Sequence, residues 1–112
     1  LGHATKFELQ NKTWATPGIL AAAGCQVSII TDAPVIPQQY LTLCAAMAVK
    51  AGMDTFEAMK AITINPAKHL GIQDRVGTLE AGKDADIVVY DGCPLEVASS
   101  LELVLIDGKK VN

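Results

Sequence analysis

The spacing of apolar positions along this chain changes once, near Gly71, and the change divides the sequence into two kinds of structure. Upstream, small and apolar residues recur at helical intervals. In "QQYLTLCAAMAVKAG", residues 38–52, Leu41, Cys44, Ala45, Ala48 and Ala51 share one helical stripe and Gly52 closes it. "TPGILAAAG", residues 16–24, predicts a short helix with Thr16 as N-cap, Pro17 at the first position and Gly24 as the left-handed stop. "DTFEAMKAI" opens with Asp54 and Glu57 at capping-box spacing, Asp standing in for Ser or Thr. "NPAKHLG" repeats the punctuation in small, with Asn65 as cap, Pro66 as start and Gly71 as stop. Between the first two helices lies "CQVSII", residues 25–30, an apolar run of strand length. Pro34 and Pro37 then carry the chain out of it.

Downstream of Gly71 the apolar pieces shorten and glycines separate them. "DIVVYD" is a strand candidate, and the glycines at 77 and 82 are spaced as turns. "ELVLIDGKKVN" predicts a hairpin whose two-residue turn is Asp107-Gly108. The first fourteen residues, "LGHATKFELQNKTW", carry no period and read as loop or extended chain. The chain starts at Leu1 rather than Met, which leads us to expect a piece of something longer.

Composition narrows the function classes. The chain has 112 residues, 50% of them hydrophobic but only 4% aromatic, so one core of small-residue helices on branched strands is expected. Net charge is −3 and the nine Lys and Arg are scattered. Nucleic-acid binding, which needs a concentrated positive surface, is therefore not expected. No apolar run approaches the length of a membrane span, so no membrane partner is expected either. Cys25, Cys44 and Cys93 are odd in number and form no CxxC pair, which predicts reduced thiols in a cytoplasmic protein.

Candidate chemistry begins at Asp32 in "VSIITDAPVIP", a single carboxylate at the carboxyl end of an apolar strand candidate. The plain reading is an Asx turn or a loop-stabilising carboxylate, common where Asp precedes Pro. The sharper reading rests on position: in α/β barrels, catalytic groups sit at the carboxyl ends of strands. A carboxylate there can hold a divalent metal and accept a proton from water, but a catalytic metal needs about three protein ligands. His69, near the end of a short helix, suits the helix dipole and is expected to be structural. His3 lies in the unpatterned terminus. No HxH, HExxH, GxGxxG, Walker or GxSxG motif occurs, and Lys83-Asp84 in "AGKDAD" read as an exposed turn rather than a catalytic pair.

Residues 61–96, "AITINPAKHLGIQDRVGTLEAGKDADIVVYDGCPLE", followed by "VLIDGKKV", resemble the carboxyl-terminal end of the amidohydrolase superfamily, in its imidazolonepropionase-like and prolidase-like branch. "VSIITDAPVIP" fits the eighth barrel strand of that family, and the resemblance covers roughly residues 16–112. It implies an α/β fold: residues 1–71 as the terminal strand-and-helix part of a (β/α)8 TIM barrel, and residues 72–112 as short strands of a small β-sandwich domain. It implies metal-dependent hydrolysis of carbon–nitrogen bonds in small amides, non-peptide or dipeptide-like, with a divalent metal, zinc first. Asp32 matches the family's strand-eight Asp, which contacts the metal and shuttles the proton of the hydrolytic water. The family's histidine ligands would lie upstream of Leu1. Where relatives often carry His directly after the Asp, this chain has Ala33. Two functions follow: the end portion of an amidohydrolase, or, for the chain standing alone, a catalytically inactive module that self-associates through its exposed barrel edge.

Overall fold

A computed structural model describes residues 14–111, with four short helices followed by a three-stranded sheet. Helix α1 is Thr16–Ala22, α2 is Leu41–Lys50, α3 is Thr55–Ala61 and α4 is Ile64–His69, and a single 3-10 turn at Gln38–Tyr40 leads into α2. Strands β1 (Ile87–Tyr90), β2 (Leu101–Ile106) and β3 (Lys109–Lys110) form an antiparallel sheet in the order β1-β2-β3.

The stripe expected on α2 is the one that is buried, with Cys44, Ala45 and Ala48 in the core and Leu41 half-buried. Its last member, Ala51, lies past the helix and is exposed. Ala58 and Ala61 of α3 complete a core in which the fully buried side chains are alanines, joined by Ile29, Met53 and Leu95. Small side chains let the helix backbones approach closely. Where α1 crosses the turn after α2, a Cβ on Gly18 would come within 3.0 Å of the Met53 backbone. Leu95, from the loop between β1 and β2, enters this same cluster, with Cys93 packed against it.

Helix ends follow local signals only in part. Asp54 caps α3 as expected, its Oδ2 accepting from the Glu57 amide at 3.1 Å. Glu57 does not complete the box; its carboxylate pairs with Lys60 Nζ at 2.8 Å. Gly24, Gly52 and Gly71 all adopt positive φ just past helix ends, as their placement predicts. Thr16 is not a cap, however. It is the first helical residue, Ala15 holds the cap position without a side-chain bond, and Pro17 sits second. Asn65 is likewise inside α4 rather than at its cap, which is Thr63.

The expected strand at 25–30 forms no ladder with any described residue. Its burial alternates as a strand's would: Ile29 is buried, Ile30 is 64% exposed, and Thr31 is buried again. A ladder needs a neighbour, and none is present among the described residues.

The hairpin is as predicted. Asp107 and Gly108 both have positive φ, 53° and 77°, the type I′ geometry that matches strand twist. The turn docks on the chain before β1, with the Asp107 amide donating to Asp86 Oδ1 and the Gly108 amide to the Ala85 carbonyl, both at 2.9 Å. Lys83 and Asp84 are more engaged than an exposed turn requires. The Lys83 side chain is only 12% exposed and its Nζ donates to Thr78 Oγ1 at 2.7 Å, while Asp84 pairs with Arg75 at 2.8 Å. No helix among the described residues is long and apolar enough to cross a membrane.

Candidate functional site

Among the described residues, 27–36 form the one place where an apolar segment delivers a carboxylate to a tight, proline-bounded loop. Ile29 fixes the segment by packing into the alanine core, and Thr31, one of two buried polar residues among those described, fixes its end. The chain then turns sharply. Asp32 takes φ of 52°, a left-handed conformation that Asp tolerates better than most residues. The loop closes through main chain alone: the Val35 amide donates to the Asp32 carbonyl at 2.9 Å and the Ile36 amide to the Thr31 carbonyl at 3.2 Å.

This bears on the two readings of Asp32. An Asx turn would use its carboxylate to accept a nearby backbone N–H. Here the backbone carbonyl does that work, and the exposed carboxylate takes no hydrogen bond from the described residues. It is left as a hard oxygen donor at the lip of the loop, free for a cation or a proton.

The other expected candidates do not gather around it. His69 ends α4, where a cation suits the helix dipole, and its Nδ1 lies 2.6 Å from Ser28 Oγ, four residues before Asp32. His3 lies outside the described residues. Among the described residues, no three His, Cys, Asp or Glu side chains come together as a metal site. Asp32 is a single carboxylate, whereas a catalytic metal requires three or so protein ligands.

One residue near the segment was not anticipated. Asn65, 5% exposed, donates from Nδ2 to the Val27 carbonyl at 2.8 Å. Its position one helical turn after buried Ala61 was the available signal, masked by the Asn-Pro pair that reads as a cap. Concave surfaces lie beside the segment and beside α4. An apolar groove of about 180 Å³ runs between α1 and the segment, lined by Pro17, Leu20, Val27, Ile29 and Ile30 among others. A polar one of about 490 Å³ lies between α4 and the turns at 73–83.

Comparison with known proteins places these features in a family. Residues 8–111 match the Amidohydrolase family. An amidohydrolase from Thermotoga maritima MSB8 is 42% identical and superposes on 98% of this chain with a TM-score of 0.93, the match taking up 29% of that protein. A Xaa-Pro dipeptidase with methionine bound in its active site is 29% identical, with a TM-score of 0.75 over 88% of this chain and 25% of its own. In sequence, the imidazolonepropionase of Streptococcus pyogenes is 31% identical over 93 residues, which is 79% of this chain and 22% of that enzyme. The amidohydrolase tasK of Hapsidospora irregularis is 40% identical over 79 residues, 70% of this chain and 8% of that protein. The chain thus spans between about a tenth and a third of the relatives it matches.

Proposed function

This chain belongs to the amidohydrolase family, and from that premise we propose that it is the carboxyl-terminal portion of a metal-dependent hydrolase of carbon–nitrogen bonds, with Asp32 as the carboxylate that contacts the metal and moves the proton. The main support is the Asp32 carboxylate itself, exposed at the end of the 27–31 segment and unused by the loop that carries it. Residues 1–71 are assigned to the end of the barrel and residues 72–112 to strands of the small β-sandwich domain. The confinement of the described helices to 16–69 and of the strands to 87–110 supports that division.

The substrate class is a small amide, cyclic or dipeptide-like, which the names of the imidazolonepropionase and Xaa-Pro dipeptidase relatives support. A divalent ion, zinc first, would supply Lewis-acid polarisation of the substrate carbonyl and acidify the attacking water. Asp32, an oxygen donor with no competing bond, fits as one of its ligands. As water attacks the carbonyl carbon, one Asp32 oxygen accepts its proton and then delivers that proton to the nitrogen as the C–N bond breaks. Ala33 offers no polar group to the substrate, so recognition next to Asp32 is left to other loops. Three free thiols support a reducing, cytoplasmic setting. The 27–31 segment, without a strand partner among the described residues and with Ile30 64% exposed, supports self-association of the chain where nothing else covers it. A purely structural role draws no support from the relatives, whose names are those of hydrolases.

The test is Asp32→Asn in the full-length enzyme that this portion is proposed to complete. The amide cannot take the proton, so kcat should fall on the order of 10³-fold or more with KM little changed. Near-normal kcat would remove Asp32 from the reaction.

A further inference from the structure

We propose that Asn65 and His69 of α4 are positioning residues for Asp32, holding from one side the segment that carries it. The meaning of this depends on the catalytic reading of Asp32, but the geometry does not. The 27–31 segment has no strand partner among the described residues, so its placement is set by the bonds and burial of its own residues. Three bonds land on three consecutive residues. The Ile29 amide donates to the carbonyl of Ala61, the last residue of α3, at 2.9 Å. Asn65 Nδ2 donates to the Val27 carbonyl at 2.8 Å, and Ser28 Oγ meets His69 Nδ1 at 2.6 Å. The anchoring residues, 61, 65 and 69, are spaced four apart along the chain.

The chemistry of these contacts fits an anchoring role. A buried amide is costly unless its donors are satisfied, so an Asn within a helix that otherwise buries Ala67 needs a specific partner, and the Val27 carbonyl is it. The His69 contact survives a change of ring charge. Ser28 donates to a bare Nδ1 in the neutral ring, and a protonated Nδ1–H donates to Ser28 Oγ. Beyond Ile29 the segment ends in buried Thr31, whose carbonyl, with that of Asp32, holds the 31–36 loop. A slip at Val27 or Ser28 would therefore move Asp32, and catalytic groups lose rate when displaced by about 1 Å.

Amide hydrogen exchange on the full-length enzyme that this portion is proposed to complete tests the proposal, with the Val35 and Ile36 amides as reporters of the Asp32 loop and the Met53 amide, which donates to Ala48, as a control in the core. In Asn65→Ala, exchange at Val35 and Ile36 should accelerate about tenfold or more while Met53 stays within about twofold, the signature of a local opening. Ser28→Ala should give the same pattern more weakly, and Ser28→Thr, which keeps the hydroxyl, should restore wild-type rates. Equal acceleration at all three amides would mean that the side chains serve general stability, and unchanged Val35 and Ile36 would mean that the anchor does not reach the loop; either overturns the proposal. If Asn65→Ala does not fold, Ser28→Ala, which removes one half-buried oxygen, decides alone. The outcome is separable from catalysis: an active Asp32→Asn full-length enzyme with the local exchange pattern intact would discard the catalytic role and keep the anchor.

Discussion

Cys25 and Cys44 carry the same thiol in opposite surroundings. Cys44 is 3% exposed among Ala45, Ala48 and Ile29, and burial there pushes its thiol above the usual range, so it stays protonated at neutral pH. Cys25 is exposed at the start of the 25–31 segment. Because the thiolate is the reactive form, an alkylating reagent at neutral pH should label Cys25 and spare Cys44 until denaturant is added. Mass mapping of labelled peptides checks this, and prompt labelling of Cys44 in the native chain would mean that α2 is not packed as described. Single residues were legible in the sequence where their signal is local. Asp54 as a cap and Asp107-Gly108 as a turn depend on neighbours within three or four positions, and both are where the pattern puts them. Asp32 could be singled out by position, but its unused carboxylate could not, because that depends on which atom closes the loop. Asn65 and Ser28 were missed for the same reason. Their partners lie 38 and 41 residues away, beyond any local rule.

At the scale of elements, Gly77 and Gly82 separate two costs that sequence spacing treats alike. Both have positive φ, 106° and 92°, which strains any side chain. Around Gly82 nothing lies within 4 Å of an added Cβ, whereas at Gly77 the Cβ would meet Ile64 Cδ1 at 2.9 Å and Ala67 Cβ at 3.1 Å. Gly82→Ala should therefore cost about 1 kcal/mol from backbone strain alone. Gly77→Ala adds overpacking against α4 and should cost about 3 kcal/mol in all. Denaturant titration of the two variants checks the difference; equal losses would show that the 72–82 turns do not pack on α4. The elements were legible in proportion to their self-sufficiency. Helices close their own hydrogen bonds, so all four were marked by a cap, a stripe or a glycine stop, although Thr16 and Asn65 were misplaced as caps because Pro at either position fits more than one register. A hairpin closes on itself, and that one was correct in detail. The 25–30 segment was expected as a strand and shows only a strand's burial alternation, since a ladder is a property of two strands.

Taken whole, the described chain is extended for its length and poor in large buried side chains. Its radius of gyration is 14.8 Å, with extents of 44 by 29 by 25 Å, where a compact domain of this size is expected near 13 Å. No large side chain is fully buried among the described residues, while Ile19, Ile30 and Val35 are each at least 60% exposed. Ile30 lines the apolar groove beside α1. The comparisons supply the context: relatives that superpose on nearly all of this chain carry over three times as much polypeptide. An apolar groove next to a segment without strand partners favours pairing with another chain when nothing else covers it. Sedimentation velocity of the purified chain at micromolar concentration should accordingly show concentration-dependent oligomers. Ile30→Asp should shift the distribution toward monomer, because it places a charge in the groove while leaving the core untouched, Ile30 being 64% exposed already. A monodisperse monomer for the unaltered chain would mean that the groove closes on itself in solution. Association unchanged by Ile30→Asp would move the contact elsewhere, to the sheet, where Val88 and Ile106 are also more than half exposed.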